Sequence, residues 1–300
     1  MDAEIRNAQG EKLDYAYHSA QGDCPFTVII GHGVTANMNR PFVEALAKGL
    51  AITGIPALRF SFSGNGDSEG RFEDSCVSKE VEDLGAVIDS VKAQGRRIAY
   101  VGHSMGGGMV IDVAAGLALQ SPGEVKAVVA IAPWNGVQPT PSSVVSGLSA
   151  PLLILCSMSD ALCPCSGEVQ LTDTQGLLSG SVTPGIPLLF GSSADPTWHG
   201  GAMAIFRNAP NAIVMDVDKV SHFTIAGIDD GSDMQDFADW ARGATGLNFN
   251  RPDRPYNDIP TMEYAVAFLN QAFELDRQAG EALLNAASSD ARLVDIQRSN

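Results

Sequence analysis

The run Arg97-Ile98-Ala99-Tyr100-Val101-Gly102-His103-Ser104-Met105-Gly106-Gly107-Gly108 constrains this chain more than any other segment. A short apolar strand enters Gly-x-Ser-x-Gly, and an apolar, Ala-rich helix pattern follows to Leu119. A serine at such a junction sits on a tight strand-to-helix turn, and glycine on either side leaves room for it. The helix behind it offers free N–H groups to a developing negative charge. A second match, Gly66-Asp67-Ser68-Glu69-Gly70, has no apolar strand before it and charged residues after it. Ser68 therefore reads as a loop residue and Ser104 as the nucleophile.

The flanking pattern alternates strands and helices with short connections. Phe26–Ile30, Ile55–Phe60, Ile98–Val101, Val125–Ile131, Ile186–Phe190 and Ala212–Val217 read as strands. Phe42–Ala51, Ser78–Ala93, Met105–Leu119, Gly200–Asn208 and Met262–Arg277 carry helical spacing. Residues 3–18 read as a hairpin around Asn7–Gly10, and 278–300 as a short trailing helix. This order predicts an α/β fold with a mostly parallel central sheet flanked by helices. Ligands of such sheets bind at the carboxyl ends of the strands, where Ser104 lies. Regularity lapses over 135–186, which reads as a cap inserted into a core made of 1–134 and 187–300. Residues 229–260 read as a long loop.

Composition narrows the partners. The chain holds 35 acidic and 19 basic residues, a net charge of −16, which argues against nucleic acid and anionic membrane. No apolar stretch is long enough for a transmembrane helix. The start Met1-Asp2-Ala3-Glu4 lacks the features of a signal peptide, so a cytoplasmic location is expected. The five cysteines are an odd number, and without an export signal free buried thiols are expected. Cys156, Cys163 and Cys165 lie close together, but no His stands nearby at ligand spacing, so no metal is expected.

A serine nucleophile needs a base and an acid that orients it. His18 lies upstream of the sheet, His32 follows the first long strand, and His103 precedes the serine itself. His222, in the loop after Ala212–Val217, can drop onto Ser104 and is preferred over His199. The acid is expected between Ser104 and His222 in chain order. Asp195 follows the strand Ile186–Phe190 and is the first choice. Asp160, after the run Pro151–Cys156, is the alternative. The oxyanion donors are the backbone of Met105 and that of Val34, with Gly33 as the alternative. Trp134 and Trp198 flank strand ends near the site and serve either as substrate contacts or as packing between cap and core.

These residues resemble the α/β-hydrolase superfamily, and within it the serine-esterase and serine-aminopeptidase-like group that includes cinnamoyl and feruloyl esterases. The likeness rests on Ile30-Gly31-His32-Gly33, on Leu58 to Gly70, on Gly102 to Gly107, and on Asp195 with Val220-Ser221-His222. It implies a capped acyl or aryl pocket. The stretch 243–260 is longer than the family's usual link to the last helix. The expectation is a serine hydrolase that cleaves carboxylic esters with small to medium acyl or aryl groups through an acyl-enzyme, without a cofactor. A thioesterase, acyltransferase or aminopeptidase would use the same triad. An acyl-CoA substrate would want a basic patch, which six lysines on an acidic chain do not supply. A non-catalytic receptor on the same fold is the reading of a different class. Nothing in the sequence sets an oligomeric state.

Overall fold

A computed structural model of the 300-residue chain describes residues 4–33, 36–120, 123–135, 140–158, 160, 163, 165, 168–169, 186–187, 201–220, 222, 224–227 and 258–299. Two short strands, β1 (Ile5–Arg6) and β2 (Lys12–Leu13), form the expected hairpin. The central sheet uses β3 (Tyr15–His18), β4 (Phe26–Gly31), β5 (Ala57–Phe60), β6 (Arg97–His103), β7 (Val125–Ile131) and β8 (Leu152–Cys156). A small separate pair, β9 (Glu168–Val169) and β10 (Ile186–Pro187), is antiparallel. The central sheet is completed by β11 (Ala212–Val217) and β12 (Leu293–Arg298), in the order β12-β11-β8-β7-β6-β4-β5-β3. The six inner strands run parallel, and the edge strands β3 and β12 are antiparallel to their neighbours.

The helices are α1 (Pro41–Ile52), α2 (Val77–Lys92), α3 (Met105–Gln120), α4 (Ser142–Val145), α5 (Gly201–Asn208), α6 (Thr261–Phe273) and α7 (Arg277–Ala286). They cover both faces of the sheet, which is why inner strands read as unbroken apolar runs. Ile29 of β4 joins the core beneath α2, α3 and α5 with Leu84, Val110 and Ile205. Its neighbours Val28 and Ile30 point to the other face, against Phe42 and Leu46 of α1 and Phe268 of α6. Among the described residues no helix is long and apolar enough to cross a membrane.

Four expectations need correction. The stretch 135–186 is not wholly a cap, because Leu152–Cys156 is the fully buried strand β8 between β7 and β11. Its flanking Pro and Ser clusters hide a run buried on both faces. The sheet position expected of Ile186–Phe190 is thereby taken, and Ile186–Pro187 pairs outside the central sheet. The last residues give α7 and then the edge strand β12 rather than a helix throughout. Of the five cysteines, Cys156 and Cys165 form a disulfide, while Cys24, Cys76 and Cys163 are free. That bond removes one argument for a reducing compartment. The long loop expected over 229–260 lies mostly outside the described residues.

One side of α2 is polar although buried. Asp83 accepts from the Asn7 side chain at 2.7 Å and from the Ser63 backbone at 2.8 Å, tying the hairpin and the loop after β5 to the helix. One turn away, Glu80 accepts from Ser75 Oγ at 2.9 Å. Burial, with Asp83 nearby, raises the Glu80 carboxyl from 4.5 to about 7. A folded-state value above the unfolded one means the native protein holds the proton longer. The stabilisation is therefore full below about 4.5 and lost as pH rises through about 7. Glu80→Gln should flatten the stability profile between these values, removing up to about 3 kcal/mol of pH dependence in denaturant titrations.

Candidate active site

Ser104 lies at the carboxyl end of β6, in the middle of the sheet, with φ at 58°. A residue with a Cβ adopts this left-handed region at a cost of roughly 1 kcal/mol or more, so something must hold it. Ser104 N–H donates to the Ile131 carbonyl at 3.0 Å, and its own carbonyl accepts from Gly108 at 3.1 Å and Trp134 at 2.9 Å. The elbow is thus pinned to β7, to α3 and to the segment after β7. The flanking glycines are steric requirements. A Cβ on Gly106 would lie 2.6 Å from the His32 carbonyl, and one on Gly102 would strike the Gly106 carbonyl. Gly33 is equally confined, since a Cβ there would lie 2.9 Å from Ser104 Cβ. The rival Ser68 is tied into its loop, donating to the Ser61 carbonyl at 2.7 Å and accepting from Asp14 N–H at 2.8 Å.

His222 sits in the turn after β11 and is 5% exposed. Its Nδ1 makes a 2.9 Å bond to Asp160 Oδ2. The imidazole therefore pairs with the alternative acid, while Asp195, the first choice, lies outside the described residues. The reason is topological. Asp160 follows β8, and β8 is the direct neighbour of the strand that carries His222. The other Asp160 oxygen accepts the Cys163 N–H at 2.8 Å. Cys156–Cys165, nine residues apart, closes the loop holding both Asp160 and Cys163. The loop is further held by Cys165 N–H on the Ser157 carbonyl and by Met158 N–H on Asp216 Oδ1.

The electrostatics follow from what each imidazole faces. Burial, the largest single influence, opposes a charge on His222, but the Asp160 carboxylate and the Cys163 sulfur beside the ring together raise it well above 6.5. Its neighbour His103, one residue before the serine, is lowered to about 3 by burial and by His222. Neutral His103 donates from Nε2 to the His222 carbonyl at 3.0 Å. His32 is lowered to about 4, again by burial. It bonds the Gly33 carbonyl through Nδ1 at 2.7 Å and accepts the Phe62 N–H at Nε2 at 3.1 Å. Both histidines thus act as fixed polar struts around the serine.

Cys163 was not expected here. Its buried thiol, raised by burial, interacts with the side chains of both His222 and Ser104. No spacing rule points to it; the one signal was its place three residues after a candidate acid. Met105 opens α3, so its backbone N–H is one of the free donors at that helix start. Trp134 is half-buried and packs on the core beside the elbow. Val34, Trp198 and His199 lie outside the described residues.

The sheet order, the elbow on β6 and the His222–Asp160 pair after β11 and β8 define the α/β-hydrolase fold. The chain has the α/β-hydrolase fold. Residues 25–147 match the family model described as serine aminopeptidase, S33. The palmitoyl-protein thioesterase ABHD10, mitochondrial, of Bos taurus is 32% identical over 117 residues, covering 39% of this chain and 36% of the relative. Its Mus musculus counterpart is 31% identical over 124 residues, covering 41% and 39%. The matches thus span little more than a third of these curated relatives. Est1E from Butyrivibrio proteoclasticus, solved with ferulic acid bound, is similar in fold with a TM-score of 0.53 at 18% identity, covering 73% of this chain and 91% of that one.

Two outcomes follow. Asp160→Asn removes the charge that lifts His222, so the ring's titration followed by NMR should move to lower pH; the same change at Asp195 should leave it in place. Cys156→Ser with Cys165→Ser should cost about 2–3 kcal/mol in denaturant unfolding, the scale of closing a short loop.

Proposed function

We propose that this chain is a serine hydrolase that cleaves carboxylic esters through an acyl-enzyme. The observation that carries the reading is a serine held at φ 58° on the central strand with a buried His222–Asp160 pair beside it. Because Asp160 holds Nδ1–H, Nε2 is the nitrogen that takes the proton in this mechanism. Ser104 Oγ attacks the carbonyl carbon as its proton passes to Nε2. The Met105 N–H, with a donor from the Gly33–Val34 loop, receives the oxyanion. Collapse expels the alcohol, which takes the proton back from His222. Water, deprotonated by the same ring, then releases the acid. Asp160, not Asp195, is the orienting acid in this proposal. Trp134 lines the acyl side, and the substrate is a small-molecule ester.

A thioester substrate is a second reading, supported by the similarity to proteins named palmitoyl-protein thioesterases over 39% and 41% of this chain. A thioester presents the same carbonyl to the same groups.

Hydrolysis of p-nitrophenyl esters and of acyl thioesters of graded chain length tests both readings. Ser104→Ala should lower kcat by on the order of 10⁶-fold. Asp160→Asn should lower it by on the order of 10⁴-fold, through loss of the correct tautomer. Asp195→Asn should retain the wild-type rate. Turnover by Ser104→Ala, or tight ligand binding by a wild type that turns over nothing, would overturn the proposal.

A further inference from the structure

Asp160, Cys163 and His222 each offer a ligand atom, and these atoms all lie within 4.8 Å of one another. All three residues are buried, Cys163 at 4% and Asp160 at 1% exposed. The ester-hydrolysis reading uses two of them and leaves the thiol unused. We propose that this cluster is an inhibitory zinc site, in which Zn²⁺ binds the triad's own base and acid together with Cys163. The inference rests on the assignment of His222 and Asp160 to the catalytic machinery.

The donor set selects the ion. One sulfur, one imidazole nitrogen and one carboxylate oxygen match the ligands of zinc, whereas magnesium and calcium require oxygen cages. Tetrahedral zinc would hold these atoms roughly 3.4–3.7 Å apart, so no pair has to close by more than about 1.5 Å. The three side chains come from two loops already joined by the His222–Asp160 bond, and the Asp160–Cys163 turn is held by the Cys163 N–H. The short disulfide-closed segment keeps the sulfur and the carboxylate together. The Cys163 thiol also meets the Ser104 side chain, so an ion held there would sit next to the nucleophile.

Coordination stops the proposed chemistry through either ring nitrogen. A metal on Nε2 masks the lone pair that would accept the serine proton. A metal on Nδ1 severs the bond to Asp160. The thiol proton and the proton on the coordinating ring nitrogen leave to solvent as the Zn–S and Zn–N bonds form, and no electron is transferred.

The test uses the full chain with its disulfide intact and the exposed Cys76 replaced by Ser. Zn²⁺ should inhibit p-nitrophenyl ester hydrolysis at micromolar concentration, and EDTA should restore the rate. Cys163→Ser and, as a second variant, Cys163→Ala should raise the inhibitory concentration at least tenfold, each measured against its own metal-free rate. Co²⁺ in place of Zn²⁺ should give tetrahedral ligand-field bands and a thiolate-to-cobalt absorption at one ion per chain. That absorption should persist in Ser104→Ala and vanish in both Cys163 variants. A cobalt complex without the sulfur band overturns the site, as does equal zinc inhibition with and without Cys163. A sulfur band in a protein that hydrolyses no ester or thioester leaves the metal site standing and overturns the catalytic reading instead.

Discussion

The bond between His222 and Asp160 organises the functional end of this molecule. It joins the loop after β11 to the loop after β8, two segments about 60 residues apart in sequence whose strands lie side by side. A carboxylate and an imidazole this deeply buried would each be costly alone, and together they satisfy one another. The remaining Asp160 oxygen is taken by a backbone N–H, so the acid is fixed from both sides. The disulfide then limits where that loop can move. The charge, the hydrogen bonds and the covalent closure all constrain the same short segment.

The serine is fixed by a different means. It is positioned almost entirely by backbone: three hydrogen bonds and a set of glycines whose missing Cβ atoms let β6, α3 and the His32 loop approach closely. This division explains what the sequence made legible. Backbone requirements leave local marks, so Gly102-x-Ser104-x-Gly106 after an apolar strand identified the elbow, and the inner strands around it were readable from their unbroken apolar runs. The separation of Ser104 from Ser68 was legible for the same reason.

The acid was not legible in the same way. Choosing between Asp195 and Asp160 required knowing which strand neighbours β11, and strand order is a long-range property. Pro151 to Cys156 was read as part of a cap because Pro and Ser surround it, yet it supplies a fully buried central strand. Once that strand moves into the sheet, Asp160, four positions beyond its end, comes beside the loop that carries His222 and bonds its ring. The edge strand β12 was missed because its alternation is weak and half exposed, with Val294 at the surface. The disulfide was missed because an odd cysteine count and the expected compartment both pointed to thiols.

Three imidazoles crowd this site, and burial alone does not tell them apart. His32 and His103 are both driven toward the neutral form, His32 by burial and His103 by burial and the neighbouring His222 ring. Each uses its single proton to hold a carbonyl, that of Gly33 in one case and of His222 in the other. His222 shares their burial but faces the Asp160 carboxylate and the Cys163 sulfur, which together reverse the direction of its shift. One charge placed after β8 therefore separates a ring able to gain and lose a proton from two that cannot. The same carboxylate, with the neighbouring sulfur, makes His222 attractive to a divalent metal that takes nitrogen and sulfur ligands. On this view, susceptibility to a soft divalent metal is a physical consequence of how the base is made basic.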